Sequence, residues 1–169
     1  MFNWFKKKEE IAQGEAVHVD MHSHLLSGID DGVRSPEQAL EIIQLFKKLG
    51  YRKLITSPHV MSDMYRNTTA GILQKRDELR AFLSTHDIDI QIDAAAEYYL
   101  DEELMKKLLA DESLLTFGNK YLLFETNFLT EPFQLKDFIF QAITKGYKPV
   151  LAHPERYSYL NNNIARVQD

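Results

Sequence analysis

Short runs in which apolar and polar residues alternate recur along this chain, and between them lie longer stretches whose apolar residues return every three or four positions. The first pattern is that of a strand and the second that of an amphipathic helix, so their repeated alternation demands βαβ units and a largely parallel sheet or barrel. From Ala16 to Met21, Val17, Val19 and Met21 share one face while His18, Asp20 and His22 share the other. A first helix is expected from Pro36 to Leu49, with Ser35 as N-cap, Pro36 at the first helical position, Gln38 at the capping-box position and an apolar stripe of Ala39, Ile42, Ile43, Phe46 and Leu49.

Arg52 to Thr56 reads as a second strand ending at Ser57-Pro58-His59, where proline denies the ladder a donor. A helix over Ala70 to Thr85 follows, carrying Ile72, Leu79, Phe82 and Leu83, with Lys75-Arg76-Asp77-Glu78 as solvated surface. Ile88, Ile90 and Ile92 begin a third strand that is expected to run through Ala94-Ala95-Ala96 into Glu97. Leu104, Leu108 and Leu109 indicate a short helix. Tyr121 to Phe124 forms a strand leading into Glu125, and Leu135, Phe138, Ile139, Ala142 and Ile143 stripe a fourth helix as core residues, stopping at Gly146. Pro149 to Ala152 is the next strand, ending at His153-Pro154, and Asn161 to Val167 reads as a loop entering a further helix.

The 169 residues, 44% hydrophobic and 27% charged, suit one globular domain over 16–169 preceded by a tail at 1–15. A formal charge of −5 offers no basic footprint for nucleic acid. The absence of cysteine excludes disulfides, thiolate metal sites and a cysteine nucleophile. No apolar run reaches the roughly 18 to 20 residues of a membrane-spanning helix and no secretory signal is visible, so the chain is expected to be cytoplasmic. Three aromatics and three lysines within Met1 to Lys8 read as a frayed or partner-docking tail. A homo-oligomer is compatible with this composition.

His22, His24, His59, Glu97, Glu125 and His153 each stand at or just past the C-terminal end of an expected strand. Parallel α/β folds gather their chemistry there. His22-Ser23-His24 at strand spacing aims two imidazoles the same way, as a divalent metal requires. Imidazoles and carboxylates without thiolates suit manganese, iron or zinc. Asp20 shares the parity of the His-x-His pair and is read as a supporting residue behind it. Asp30 is read as a turn residue. His18 lies too early in its strand to join a cluster, His86 closes a helix, and Tyr98, Tyr99 and Tyr157 are read as packing residues rather than as the lining of a substrate cleft.

Together with Asp30-Asp31-Gly32, Glu97-Tyr98-Tyr99 and His153-Pro154-Glu155-Arg156-Tyr157, these residues resemble the PHP (polymerase and histidinol phosphatase) superfamily, in particular the bacterial tyrosine-protein phosphatases of capsular and exopolysaccharide gene clusters. The resemblance implies a distorted (β/α)7 barrel, here about five βα units of it. It also implies divalent metal ions, up to three in a complete domain, with manganese preferred over iron or zinc, and His22, His24, Asp31, His59, Glu97, Glu125 and His153 among their ligands. Arg156 would bind the substrate phosphate, and closely spaced metals would lower the pKa of a shared water toward neutrality for attack on phosphorus. The expected substrate is phosphotyrosine in a protein, with a bacterial tyrosine kinase as partner; a small ester such as histidinol phosphate is the alternative. The family's closing Asp-x-His pair and a further arginine are not found within these residues, so the expectation includes a truncated domain that binds fewer metal ions and has weak activity, or an inactive metal-binding fragment.

Overall fold

In a computed structural model, which describes residues 17–161, proline and small residues decide where the strands bend. The tail at 1–15 and the helix expected after Asn161 lie outside the described residues. The strands are β1 (Val19–Ser23), β2 (Lys53–Thr56), β3 (His59–Val60), β4 (Gln91–Ala94), β5 (Glu97–Tyr99), β6 (Tyr121–Glu125) and β7 (Lys148–Leu151). The helices are α1 (Pro36–Lys48), α2 (Thr69–Ser84), α3 (Glu102–Leu109) and α4 (Leu135–Thr144). All named strand pairs are parallel, in two sheets ordered β1-β2-β4 and β3-β5-β6-β7. The fold is therefore of the mixed α/β class with parallel sheets.

Two of the expected strands are each broken in two. The ladder pairs Lys53 with Gln91 before the break and His59 with Glu97 after it, the same offset, so β2–β3 and β4–β5 bend together rather than slip. Pro58 has no N–H to donate, and the ladder passes it through Ala95 N–H to Thr56 O at 2.9 Å and Glu97 N–H to Pro58 O at 3.0 Å. Ala95 and Ala96 are fully buried at the crossing, where larger side chains would hold the two segments apart. The strand expected from Ile88 through Ala96 thus begins at Gln91 and stops at Ala94. β1 starts and ends later than its apolar alternation suggests, which places His22 inside it, and its apolar residues Val19 and Met21 are exposed.

The helices form where the spacing expects them. Ser35 caps α1 by accepting from Gln38 N–H, while the Gln38 side chain accepts from Arg34 N–H at 2.8 Å. Thr68 and Asp101 cap α2 and α3, accepting from Gly71 N–H at 3.1 Å and Leu104 N–H at 2.9 Å. Ala39 and Ile43, then Ile72, Leu79 and Leu83, then Leu104 and Leu108, enter the main core with Leu54, Leu122 and Phe124 from the sheets. The alternate strand residues Ile55 and Leu123 join Ala95, Phe117 and Ala152 in a second, smaller apolar cluster. Burial on both faces is the condition under which parallel strands read as nearly continuous apolar runs. No helix among the described residues is long and apolar enough to cross a membrane.

One expected core residue is not in the core. Phe138 and Ala142 of α4 are fully buried, with Phe138 packed at 4.8 Å between ring centroids on Phe124, but Ile143 is 58% exposed. Five residues from Phe138, Ile143 is turned roughly 140° from it around the helix and leaves the buried face. Phe138→Ala is therefore expected to reduce stability by about 3–5 kcal/mol, and Ile143→Ala by roughly 0.5 kcal/mol or less, in urea unfolding followed by circular dichroism. Equal losses would contradict this packing of α4.

Candidate metal centre

Strand ends bring the cluster together. β1 carries His22 and, just past its end, His24 on the same face; β3 opens on His59, β5 on Glu97, β6 closes on Glu125, and His153 follows β7. His59 and Glu97 are ladder partners, and Glu125 pairs with Tyr99, the second residue after Glu97. His153 has φ +32°, a left-handed conformation unfavourable for a residue with a side chain, and it turns the chain from β7 into the short 3-10 helix Pro154–Arg156.

Glu97 is the hub. Its carboxylate is 0% exposed. One oxygen accepts from His153 Nε2 at 2.9 Å and lies 3.6 Å from His22 Nε2, while the other lies 3.3 Å from His24 Nε2 and 3.2 Å from His59 Nδ1. Glu125 stands 2.9 Å from His59 Nδ1 and 3.7 Å from His153 Nε2. The exposed Asp31 reaches His59 Nε2 at 3.4 Å from the rim.

The outer nitrogens of two imidazoles are engaged, and this turns their inner nitrogens toward Glu97. His24 Nδ1 bonds Asp30 Oδ2 at 2.7 Å and His22 Nδ1 bonds Ser57 Oγ at 2.7 Å, which leaves both Nε2 atoms aimed at Glu97. Asp30 also accepts from Gly32 N–H at 3.0 Å and His59 N–H at 3.1 Å. A Cβ at Gly32 would overlap the His24 carbonyl oxygen, so this tight return needs glycine.

Charge in the cluster is tightly balanced. Burial would lower His24, but the carboxylates of Asp30 and Glu97 outweigh it and raise the imidazole to about 10. His59 is likewise raised, with burial overcome by Glu125 and Glu97. His22 is lowered by burial and by its neighbouring imidazoles, against the attraction of Glu97. Despite burial, Glu97 and Asp30 are held below their ordinary values, Glu97 by the surrounding histidines and Asp30 by His24 and the Gly32 N–H.

A divalent metal fits this donor set. Glu97 Oε2 and His59 Nδ1 are buried, face each other at 3.2 Å and complete no hydrogen bond. Two ligands each about 2.1 Å from one cation at 90–109° stand roughly 3.0–3.4 Å apart, so these separations are those of atoms that share an ion. His22, Glu97 and His153 present one such group; His24, His59 and Glu97 present a second; His24, Asp30 and Asp31 present a third.

Six residues expected from strand ends, His22, His24, His59, Glu97, Glu125 and His153, are brought together, and Asp31 lies at their edge. Arg156 is exposed on the 3-10 helix, and its guanidinium makes no hydrogen bond or ion pair with the described residues. Asp30 does form the expected turn through Gly32, and it also orients His24 and holds the His59 backbone, roles that the turn reading missed. Ser57 was missed as well; its only sequence signal is its position beside Pro58 at a strand end. Tyr98 and Tyr157 are buried packing residues as expected, His18 bonds Gly50 O, and His86 bonds Phe82 O at the end of α2. Asp20 is raised by burial and one of its buried oxygens has no hydrogen-bond partner.

Parallel strands that gather imidazoles and carboxylates at their ends and at the bends between segments define an α/β protein with a donor set able to hold a metal ion. The family model described as capsular polysaccharide synthesis, CpsB/CapC, matches residues 18–169, and the chain belongs to that family. It is similar to the tyrosine-protein phosphatase YwqE of Bacillus subtilis (strain 168), 29% identical over 145 residues that cover 86% of this chain and 57% of that protein. It is 27% identical to the tyrosine-protein phosphatase CpsB of Streptococcus pneumoniae over 151 residues, 89% of this chain and 62% of that protein. A solved structure from work on YwqE and CpsB, described there as unique metal-dependent tyrosine phosphatases, matches with a TM-score of 0.81 at 29% identity, covering 88% of this chain and 60% of that one. The chain spans less than two thirds of the length of these relatives.

Since His24 holds its proton up to about 10 without metal, an ion that binds its Nε2 must displace that proton. Manganese binding is therefore expected to release protons near neutral pH and to tighten as pH rises toward that value. Calorimetry in two buffers of different ionisation enthalpy measures this, and identical apparent enthalpies would contradict it. Asp30→Ala, which frees His24 from its orienting carboxylate, is expected to weaken manganese binding by about 10–100-fold without abolishing it.

Proposed function

We propose that this chain carries the catalytic metal centre of a phosphomonoester hydrolase acting on phosphotyrosine in proteins. The observation that carries the reading is Glu97, a dry carboxylate facing four imidazoles, together with membership of a family whose relatives are named tyrosine-protein phosphatases. The ligands are His22, His24, Asp31, His59, Glu97, Glu125 and His153, which would hold part of a cluster of up to three divalent ions in a complete domain, manganese preferred. Bound there, such ions supply the positive charge a phosphoryl group needs and bring the pKa of water toward neutrality.

The chain's own residues do the rest. Asp30 accepts from His24 Nδ1 and Ser57 bonds His22 Nδ1, and these contacts hold both rings with Nε2 turned into the cluster. Glu97 and Glu125 keep the cluster anionic enough to retain cations. Arg156, which makes no ion pair among the described residues, offers a planar fork to the phosphate oxygens and balances charge that builds in the transition state. A phenolate leaving group is already fairly stable, so the demand for a general acid is small.

The parallel strands form part of a PHP-type distorted (β/α)7 barrel in this reading, with residues 16–169 as its domain and 1–15 as a tail. The physiological substrate is a bacterial tyrosine kinase that controls capsule or exopolysaccharide synthesis, reached in the cytoplasm. The test is hydrolysis of a phosphotyrosine peptide by manganese-loaded protein. His22→Ala is expected to reduce the rate at least about 100-fold and chelation to abolish it. Arg156→Ala is expected to reduce kcat/KM about 10- to 1000-fold while leaving manganese affinity unchanged. Turnover that survives both His22→Ala and chelation would remove the cluster from the reaction.

A further inference from the structure

The four histidines form a row, with ring centroids 4.7 Å apart from His59 to His24, 5.3 Å from His24 to His22 and 5.9 Å from His22 to His153. Each end of the row carries an aromatic ring. Tyr65 lies nearly parallel on His59 at 5.6 Å and 14°, so one of its faces is taken by the imidazole. Phe128 stands 5.6 Å from His153 at 58° and 5.4 Å from the buried Tyr157 at 37°, and it is 40% exposed.

The exposure of Phe128 is not that of a loose loop. Its carbonyl oxygen accepts from both Ser158 N–H and Ser158 Oγ at 2.8 Å, and Asn127 Oδ1 accepts from Leu129 N–H at 2.8 Å and Thr130 N–H at 3.2 Å. The ring is thus fixed three residues beyond Glu125, against the segment that carries His153 and Arg156. A rigid, part-exposed aromatic ring beside a cluster of metal-ligating groups meets the needs of an aromatic substrate, whose ring gains from offset or edge contact with it.

We propose that Phe128 is the residue on which the aromatic ring of an aryl phosphate rests, and that it favours aryl over alkyl phosphate esters. This rests on the phosphatase reading of the metal centre. Phe128 touches His153, and the Arg156 backbone N–H bonds the His153 carbonyl oxygen at 3.0 Å, so a phosphate held at that end of the row would bring the next group of the substrate close to Phe128. Tyr65, with a face already covered by His59, holds that imidazole and does not sort substrates.

The test uses manganese-loaded protein and two phosphonates that cannot be hydrolysed, phenylphosphonate and methylphosphonate, with dissociation constants measured by calorimetry. The wild-type protein is expected to prefer the phenyl compound by about tenfold. Phe128→Ala is expected to remove about 3- to 10-fold of that preference while methylphosphonate affinity stays within about twofold, and Phe128→Trp to keep the preference. Tyr65→Leu is expected to leave the ratio unchanged. A ratio unaltered by Phe128→Ala, or equal weakening of both ligands, would overturn the role of Phe128 and point to a packing residue. Absence of methylphosphonate binding by the wild type would instead overturn the phosphatase reading itself.

Discussion

Everything near the C-terminal ends of the strands is arranged around one carboxylate that water does not reach. A buried, ionised Glu97 loses several kcal/mol of hydration, and only nearby positive charge offsets that loss. His24 and His59, raised above their usual values, supply it as protons when metal is absent. Divalent ions held by this donor set would supply more charge at shorter range and displace those protons. The paired bend of β2–β3 and β4–β5 serves the same end, since it sets His59 and Glu97 side by side as ladder partners. Had the two ladders slipped by one residue at the break, one of that pair would have turned to the opposite face.

A second carboxylate holds the first arrangement in place. Asp30 accepts from three donors, His24 Nδ1, Gly32 N–H and His59 N–H, and so ties the loop after β1 to the start of β3. Two of those donors belong to ligand residues. The contact is possible because Gly32 lets the loop close over the backbone of His24. The Asp-Asp-Gly motif therefore divides its work: Asp30 faces inward and orients, Asp31 faces outward and stands at the rim, and Gly32 makes the return.

Element order and the clustering of His22, His24, His59, Glu97, Glu125 and His153 were legible because both follow from local periodicity: helical stripes set the helices, and strand ends collect the polar residues that no core accepts; Asp31 came in only through the family resemblance. Bends were not legible, because Pro58 reads equally as the end of a strand and as its kink. The alanines at 94–96 gave no sign that a ladder changes sheet there. Ile143 misled because a stripe counts apolar residues without fixing how wide a groove receives them. Asp30 was undervalued because its turn role satisfies the sequence pattern completely, whereas its bonds to His24 and His59 depend on residues distant along the chain. Ser57 had no periodic signal, since a serine beside a proline is an ordinary strand terminator until a histidine faces it.

The site is dry at the bottom and open at the top. Ile55, Ala95, Phe117, Leu123 and Ala152 form an apolar layer among the strands that carry the ligands, and Glu97 and Glu125 are buried with them. Asp31 and Phe128 are exposed beside His59 and His153 respectively. Low dielectric below strengthens every charge interaction within the cluster. A pocket built for a small phosphate ester encloses most of its ligand. In the proposed phosphatase reading, a phosphate displayed on the side chain of a larger molecule would need to bring only its phosphoryl group to the buried charges of Glu97 and Glu125.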